Sequence, residues 1–368
     1  MTGSRIAFRV DASLEIGTGH VIRCLTLAQA LRKNGAECRF ITRDLPGHLA
    51  DRIRKAGFDV ALLPAAPGPL PLPPPVHASW AGVNWEQDAI ETQEAVSGIE
   101  LDWLIVDHYA FDARWEQAVC RGNAKLLVMD DLADRPHDCD LLLDQNLGRR
   151  ADDYDGLVSD HCTRLIGPEY ALLRPEFAEM RAEALISREG RSLKKLMISM
   201  GGIDAADATS TVLEALREAP LPEDLQISVI MGSSAPALED VRKLAADMHW
   251  PTEVDVDVNN MAERMATADL AIGAGGSTTW ERCCLGLPAI VIQTAENQAA
   301  AAVSMAKAGA ALVPKPLFAP DFVQSLSEVL AEAADSVNFA ALSEAAAGIC
   351  DGDGAARVTY RVTGAALT

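Results

Sequence analysis

RVDASLEIGTGHVIR, residues 9–23, is the stretch that decides the fold of this chain. An apolar run of β type, residues 6–10, leads into it, and apolar residues at helical spacing follow it up to Asn34-Gly35, a typical helix stop. The pattern predicts a strand, a turn that contains Gly17 and Gly19, and a helix. Such a turn aims backbone N–H groups and the positive end of a helix dipole at a bound group. It is typical of α/β folds that receive a phosphate or a polar sugar.

The glycine turn does not fit a dinucleotide-binding motif. That motif needs a third glycine three residues after the second, and Ile22 stands there instead. The turn offers His20 in the first helical turn, where an imidazole either accepts a proton in catalysis or caps the helix. Asp11, just after the strand, either orients that ring or stabilises the turn. We treat His20 and Asp11 as candidate catalytic residues.

Composition bounds the class of protein and its partners. The 368 residues are 49% hydrophobic and 23% charged, which suggests two globular domains. The formal net charge of −21 argues against a nucleic-acid partner and against an anionic membrane surface, since both require a basic patch. No stretch reaches the roughly 20 apolar residues of a membrane span, and the first residues do not read as a signal peptide. We expect a small-molecule substrate and a cytoplasmic location.

The eight cysteines follow no ligand or disulfide pattern. None forms a C-x-x-C pair, and none has a histidine at metal-ligand spacing. We expect neither a zinc site nor a disulfide framework, and we expect reduced, mostly buried thiols.

Strands and helices alternate through the first half of the chain, with one interruption. Residues 64–75 contain seven prolines, which allow neither a helix nor a central strand, so we expect a surface excursion there. Further on, the predicted strand 103–106 ends in Asp107-His108-Tyr109. Polar residues at the carboxyl ends of strands lie where open α/β sheets bind ligands. Asp107 and Tyr109 are therefore candidate binding residues.

A pair of acids follows the next predicted strand, residues 126–129. Asp130 and Asp131 are either ligands of a divalent metal or acids that cap a helix or form a turn. No ligand cluster surrounds them in the sequence. We expect no metal and no cofactor.

A second domain begins after a charged stretch at residues 181–195. We predict a first Rossmann-like domain over residues 1–180 and a second over residues 190–368. The first strand of the second domain ends in Gly201-Gly202, which repeats the glycine turn of the first domain. Two Rossmann-like domains with facing glycine turns imply a cleft between them.

The densest motif lies in the second domain. Gly275, Gly276 and Ser277 follow a predicted strand and start a helix, an arrangement that suits a diphosphate. One turn further, Glu281 either accepts hydrogen bonds from a diol such as ribose or is a surface acid near a helix start. Asn297 and Gln298 begin a later helix, where their amides either bind acetamido and hydroxyl groups or act as caps.

Taken in order, these motifs resemble a known family. The series comprises the stretch 9–23, Asp107-His108-Tyr109, Tyr170-Ala171-Leu172-Leu173-Arg174, Gly275-Gly276-Ser277 with Glu281, and Glu296-Asn297-Gln298. It spans nearly the whole chain and resembles the UDP-sugar hydrolases of pseudaminic acid biosynthesis. The second domain is also similar to the UDP-binding half of the undecaprenyl-muramyl-peptide N-acetylglucosaminyltransferases. The resemblance implies the GT-B fold, an α/β architecture of two Rossmann-like domains that face each other across a cleft.

The resemblance also implies a reaction and roles for residues. The substrate would be UDP-2,4-diacetamido-2,4,6-trideoxy-β-L-altropyranose, cleaved by water at the anomeric carbon with inversion and release of UDP. Matched motif by motif, His20 is the general base, Glu281 binds ribose, and the Gly201-Gly202 turn lies near the diphosphate. Further substrate contacts are implied for the glycine turns and for four side chains: Tyr109, Arg174, Asn297 and Gln298.

Two other functions use the same fold. An inverting glycosyltransferase would pass the sugar to an acceptor hydroxyl, and one that acts on a lipid carrier should expose an apolar patch rimmed by basic residues. Residues 64–75 contain no Lys or Arg. A catalytically silent UDP-sugar-binding protein would not need His20. The sequence carries no signal of oligomeric state.

Overall fold

The computed structural model describes residues 3–65, 68, 71–120, 122–334 and 336–364, and the side chains of these residues except 297, 334, 336 and 337. The chain divides into two compact units. The first comprises Met1–Leu172 and Asp353–Thr368, and the second comprises Leu173–Gly352. Each unit is built around one parallel sheet with helices, as predicted for two Rossmann-like domains of α/β class.

The first unit contains, among its described residues, a parallel sheet of seven strands in the order β3-β2-β1-β4-β5-β6-β7. The strands are β1 Arg5–Val10, β2 Glu37–Arg43, β3 Asp59–Leu63, β4 Trp103–Asp107, β5 Lys125–Met129, β6 Leu141–Asp144 and β7 Thr163–Ile166. The first four helices are α1 Gly19–Lys33, α2 Ala50–Lys55, α3 Trp85–Ala95 and α4 Ala113–Val119, with 3₁₀ turns at Ala78–Ala81, Ala151–Tyr154 and Pro168–Tyr170.

The second unit contains, in the part described, a five-stranded parallel sheet in the order β10-β9-β8-β11-β12. Its strands are β8 Lys195–Ser199, β9 Gln226–Met231, β10 Thr252–Val256, β11 Leu270–Ala274 and β12 Ala289–Ile292. Its helices are α5 Pro175–Ser187, α6 Ala208–Leu216, α7 Leu238–Ala246, α8 Met261–Thr267, α9 Thr278–Cys284, α10 Ala299–Lys307, α11 Phe322–Ala334 and α12 Ser336–Ala347, with a 3₁₀ turn at Glu296–Gln298.

Strand β1 shows why the first sheet is buried on both faces. Ile6, Phe8 and Val10 join the core that contains the apolar residues of α1, whereas Ala7 joins the core on the opposite face. Alternate side chains of a strand point to opposite faces, and parallel sheets are usually covered on both. The apolar run that opens the sequence is therefore a central strand, and the turn after it lies at the carboxyl edge of the sheet.

The last helix, α13 Gly354–Thr363, packs on the first unit. Ala355, Val358 and Val362 belong to the core that contains α1. A Cβ atom on Gly354 would lie 2.2 Å from the carbonyl oxygen of Ala171, so this close approach requires glycine. The predicted ranges 1–180 and 190–368 differ from the structure here, because the apolar face of α13 completes the core of the first unit although it follows the second in sequence.

The proline-rich segment forms no helix or strand in its described residues, as predicted. Residues 66, 67, 69 and 70 lie outside the described part of the chain. All eight cysteines lie in the described part of the chain, where no disulfide links them, and six of them are buried, as predicted for mostly buried thiols. No helix in the described ranges is long and apolar enough to cross a membrane.

Candidate active site

The carboxyl ends of β1, β4 and β5 bring the predicted site residues of the first unit together. Val10 is in register with Asp107, and Asp107 is in register with Met129. Residues just after these strands therefore meet at one edge of the sheet. Gly17 has a positive φ of 83° and bridges back to Ser13, and this tight turn brings the chain to Gly19, the first residue of α1.

His20, the second residue of α1, is paired with Asp107 at the end of β4. Nδ1 of His20 lies 2.5 Å from Oδ1 of Asp107. The side chain of Asp107 is fully buried, and that of His20 is 11% exposed. Burial alone would raise the pKa of Asp107, but the guanidinium of Arg23 and the His20 ring hold it well below its usual range. Because Asp107 stays ionised, Nδ1 of His20 donates a hydrogen and Nε2 is free to accept one.

Arg23 holds this pair in place from the next turn of α1. Its Nε and Nη2 atoms donate to the two oxygens of Asp107 at 2.6 and 2.7 Å, and its Nη1 donates to Asp131 at 2.7 Å. The hydroxyl of Tyr109 donates to the same Asp131 oxygen at 2.5 Å, and the Tyr109 ring stands edge-on to the His20 ring at 4.7 Å. Tyr109, predicted as a binding residue, therefore lies beside the candidate base.

Asp11 does not contact His20 in the structure, which corrects the hypothesis that it orients that ring. Its side chain is buried and accepts from Arg9 Nη1 and from the backbone N–H of Arg43, both at 2.7 Å. The ring of His108 lies 3.1 Å from its other oxygen. Asp11 points into the buried network on the other side of β1, so it ties strands together and is not placed to act in catalysis.

The structure also changes the role of Asp107. It was predicted to bind substrate, yet both of its oxygens are occupied by His20 and Arg23. Sequence reasoning missed Arg23 and Asp131 as members of this site. Arg23 is three residues after His20 on one helix face, and that spacing is the signal that points to a shared partner.

The acid pair after β5 is engaged by basic and hydroxyl groups. Asp130 accepts from Arg135 at 2.8 Å and from the hydroxyl of Tyr154 at 3.0 Å, and Asp131 accepts from Arg23 and Tyr109. Among the described residues there is no group of three or more His, Cys, Asp or Glu side chains arranged to hold a metal ion. Metal independence remains a prediction.

In the second unit, the glycine turn after β8 lies beside the turn after β9. Gly201 has a positive φ of 95°, and a Cβ atom on Gly232 would lie 2.1 Å from the carbonyl oxygen of Gly202. Asp204 then accepts from the backbone N–H groups of Ala208 and Thr209 at 3.0 and 2.9 Å. Helix α6 begins at Ala208, and its N-cap residue, Asp207, accepts from the backbone N–H of Ser210 at 3.4 Å.

The predicted diphosphate turn follows β11, the strand next to β8. Gly276 is exposed, Ser277 is half-buried, and their N–H groups have no acceptor among the described residues. Arg282 fastens the turn from below, with Nη2 donating to the carbonyl of Ala274 at 3.0 Å. The guanidinium lies where a Cβ atom on Gly273 would stand, so this strand end requires glycine. The turn therefore presents two N–H donors for which the described residues offer no acceptor.

Glu281 and Arg174 are neighbours in the second unit. Nη2 of Arg174 lies 3.6 Å from Oε1 of Glu281, and its Nη1 lies 2.9 Å from Glu176. The Glu281 side chain is 13% exposed. Burial raises the pKa of Glu281 to about 7, despite the opposing charges of Arg174 and Arg282. A carboxyl group whose pKa lies this close to neutral pH is typical of a binding or catalytic site.

The remaining predicted residues lie next to this turn or outside the described side chains. Gln298 packs on Gly275, and its Oε1 accepts from the backbone N–H and the hydroxyl of Thr294 at 3.0 and 3.2 Å. The backbone of Asn297 belongs to the Glu296–Gln298 turn, and its side chain lies outside the part that the structure describes.

Comparison with known proteins gives this arrangement a family context. Residues 196–347 match the model of the glycosyltransferase family 28 C-terminal domain. The matched range lies in the second unit, which is similar to a family 28 C-terminal domain over these residues. The matched range contains the glycine turns after β8 and β11 and the half-buried acid Glu281.

Similarity extends over most of the chain. A UDP-2,4-diacetamido-2,4,6-trideoxy-beta-L-altropyranose hydrolase of Campylobacter jejuni is 29% identical over 306 residues, which are 83% of this chain and 97% of that protein. The spore coat polysaccharide biosynthesis protein SpsG of Bacillus subtilis is 33% identical over 146 residues, which are 40% of this chain and 42% of that protein. The first of these confirms the family resemblance.

The fold is shared with solved glycosyltransferase structures. MurG of Acinetobacter baumannii superposes with a TM-score of 0.70 at 14% identity, covering 98% of this chain and 100% of MurG. The chain therefore has the GT-B fold, with two Rossmann-like units.

Proposed function

We propose that this protein is a nucleotide-sugar hydrolase that removes UDP from UDP-2,4-diacetamido-2,4,6-trideoxy-β-L-altropyranose, the substrate class named for the Campylobacter jejuni relative. Water attacks the anomeric carbon, and the configuration inverts. The observation that carries the proposal is the pair of His20 and Asp107, an imidazole whose Nδ1 lies 2.5 Å from a buried carboxylate. This is the arrangement that a general base requires.

His20 acts on water, which is the weak nucleophile in the reaction. Asp107 takes the hydrogen on Nδ1, so the lone pair of Nε2 is available for a proton of the attacking water. As the imidazolium forms, the ionised carboxylate of Asp107 stabilises its positive charge. Arg23 keeps Asp107 ionised and fixes its orientation with two hydrogen bonds. The base is therefore oriented before substrate arrives, which lowers the reorganisation cost of the step.

UDP is a good leaving group, because the charge with which it departs is spread over a diphosphate. We assign that charge to the free N–H groups at Gly276 and Ser277 and to the neighbouring turn at Gly201 and Gly202. Glu281 accepts from the ribose hydroxyls, and Arg174 beside it contributes positive charge. No divalent metal is needed for this scheme, since backbone donors and helix N-termini meet the anion.

The sugar is assigned to side chains close to these groups. Tyr109 stands beside His20, and Gln298 packs against Gly275. We assign the sugar contacts to these two residues and to Asn297. We place the activity in the cytoplasm, because the eight cysteines follow no disulfide pattern in the sequence, which fits a reducing compartment.

The experiment follows UDP release from the pure protein in the absence of any acceptor. We expect UDP to be released and the freed sugar to appear first as the inverted anomer in a proton NMR time course. His20→Ala should lose about 10² to 10⁴ in turnover, the usual range for a positioned base. His161→Ala, which removes an exposed histidine of the same unit, is the matched control and should keep full turnover.

Three results would contradict the proposal. UDP release only after an acceptor alcohol is added would identify a transferase. UDP-sugar binding without turnover in the wild-type protein would identify a binding protein. Near-normal turnover in folded His20→Ala would remove His20 as the base.

A further inference from the structure

Two aromatic rings form a surface beside His20, and the proposed reaction leaves one of them, that of Trp80, without a role. Trp80 and Tyr109, called here the aromatic wall, lie with ring centroids 5.5 Å apart and planes 23° apart. The His20 ring is 4.7 Å from Tyr109 and 6.4 Å from Trp80, and it stands edge-on to both. Trp80 comes from the segment after the proline-rich excursion, so that segment supplies one side of the surroundings of the base.

The polar atoms of the aromatic wall are already used. Nε1 of Trp80 donates to Glu15 at 3.1 Å, and the hydroxyl of Tyr109 donates to Asp131 at 2.5 Å. Trp80 is half-buried, so part of its ring is open to a ligand, whereas Tyr109 is 6% exposed. A hydroxyl placed against this surface loses its water without gaining a partner, whereas a methyl group loses nothing.

The wall is held from several directions, so its position does not depend on a ligand. Trp80 lies in the 3₁₀ turn Ala78–Ala81, whose two end residues are buried. Gly82 follows with a φ of 71°, and a Cβ atom there would lie 3.2 Å from Leu45. Glu15, which fixes the indole, belongs to the same glycine turn that leads into His20.

His77 completes the packing around the wall. Its ring lies 4.4 Å from Trp80 and 5.6 Å from Tyr109. Burial lowers the pKa of His77, although the charge of Asp134 opposes this, so the ring is uncharged at neutral pH. The guanidinium of Arg135 lies 5.8 Å from the Tyr109 ring centroid, and it is paired with Asp130 and Asp134.

We propose that the aromatic wall receives a methyl group of the sugar, and that Trp80 is a specificity-determining residue of the hydrolase. The inference rests on the proposed function and deepens it, because it defines the substrate class as UDP-sugars that carry a methyl group near the anomeric centre. The deoxygenated C6 and the acetamido groups of the proposed substrate are the methyl groups in question.

A methyl group in a fitted apolar site has a measurable effect on rate. Removing one methylene-sized group from a substrate typically changes kcat/KM by about 10-fold to 200-fold. The wild-type enzyme should show such a drop for at least one of three analogues: the 6-hydroxy sugar and the two sugars in which one acetamido group is replaced by formamido. The analogue that suffers identifies which methyl group contacts the wall.

The variants test whether Trp80 causes that selectivity. Trp80→Ala should reduce the ratio of kcat/KM between the proposed substrate and the affected analogue to below about tenfold. Trp80→Phe keeps an aromatic face and should retain most of the ratio. Glu15→Ala keeps the indole but releases its N–H, and should lower the ratio by an intermediate amount. Trp85→Ala removes a half-buried tryptophan that is not part of the wall, and should leave the ratio unchanged.

A binding measurement separates this inference from the proposed reaction. Saturation-transfer NMR with the free diacetamido-trideoxy sugar should show its strongest signal at one methyl group, and Trp80→Ala should abolish that signal. If the wild-type protein shows this contact but hydrolyses no UDP-sugar, the proposed reaction is wrong, whereas the contact between the aromatic wall and the methyl group is supported. If it hydrolyses the substrate while folded Trp80→Ala keeps both the selectivity and the methyl signal, the inference is overturned.

Discussion

Asp107 fixes the tautomer of His20 across 87 residues of sequence, with Nδ1 of the ring 2.5 Å from the carboxylate oxygen. The two residues belong to different elements, the start of α1 and the end of β4. Arg23 closes the arrangement by donating to both oxygens of the same carboxylate. In the proposed reaction, this arrangement gives His20 a defined proton-accepting nitrogen.

The first prediction is that Asp107→Asn loses turnover almost as severely as His20→Ala. An asparagine amide donates to Nδ1, so the hydrogen moves to Nε2, which can then no longer accept a proton from water. We expect a loss of about 10² to 10⁴ in kcat, with UDP affinity unchanged. Steady-state kinetics and calorimetry measure the two quantities.

Non-additivity provides the control for this pair. When two residues act as one unit, the double variant loses little more turnover than the worse single variant. The double variant of His20→Ala and Asp107→Asn should therefore turn over no more slowly than the worse single variant. Multiplied losses would show that Asp107 acts separately from His20.

The second prediction concerns UDP affinity and pH. Burial raises the pKa of Glu281 to about 7, against the charges of Arg174 and Arg282. The ribose hydroxyls donate to the ionised carboxylate, so binding favours loss of the proton. UDP affinity should be constant above pH 8 and should fall by about tenfold for each pH unit below 7. Titration calorimetry in buffers of different ionisation enthalpy should also detect the released proton.

Glu281→Gln is the matched control, because the terminal phosphate of UDP titrates near pH 6 in any variant. The variant keeps the phosphate contribution and removes that of Glu281. At pH 8 it should bind UDP about tenfold or more weakly, the effect of losing a charge-assisted hydrogen bond. An unchanged pH profile in Glu281→Gln would exclude Glu281 from the ribose site.

The third prediction is that Asp88→Asn destabilises the first unit. Asp88 is fully buried and accepts from Arg9 at 2.6 and 3.0 Å, from Arg43 at 2.6 Å and from Trp115 at 3.0 Å. Removal of its charge leaves two buried guanidinium groups undercompensated, at a cost of about 3–5 kcal/mol in the free energy of unfolding.

Urea unfolding measures this change as a lower midpoint at the same slope. Asp51→Asn removes an acid of similar size from the exposed Arg54–Asp51 pair on α2, and should leave the midpoint nearly unchanged. Equal midpoints for both variants would mean that the buried network does not stabilise the fold.

The fourth prediction is that a chelator leaves turnover intact. Asp130 and Asp131, the acids that would be the first choice for a metal, already accept hydrogen bonds from Arg135, Tyr154, Arg23 and Tyr109. Prolonged treatment with EDTA followed by gel filtration should not change kcat. Loss of activity that magnesium or manganese restores would return these acids to the site.

Local patterns in the sequence were enough to predict the elements of the fold. The apolar run before Gly17, the helical spacing after His20 and the turn at Gly275 each describe a segment whose conformation is set by its neighbours in the chain. The partners of buried charges are different. Asp11 follows β1 and Asp107 ends β4, both beside the same glycine turn. The side of β1 toward which each carboxylate points is set by its contact with Arg9 or Arg23 in the folded chain.

The place of α13 shows the same limit. Its apolar positions predict a helix with one buried face, but they do not say which of two cores receives it. The core around α1 receives the helix, because Val358 and Val362 fill this core and Gly354 lets the backbone approach Ala171. Side-chain size and backbone clearance in the folded chain decide the matter.

The packing of α13 has a consequence for biosynthesis. The ribosome synthesises residues 173–352, which form the second unit, before it reaches α13. The second unit is therefore complete while the first unit still lacks its last helix. Until Val358 and Val362 arrive, the apolar face of α1 that they cover stays open to chaperones and to aggregation. Synthesis of this protein therefore completes the second unit first and the first unit last.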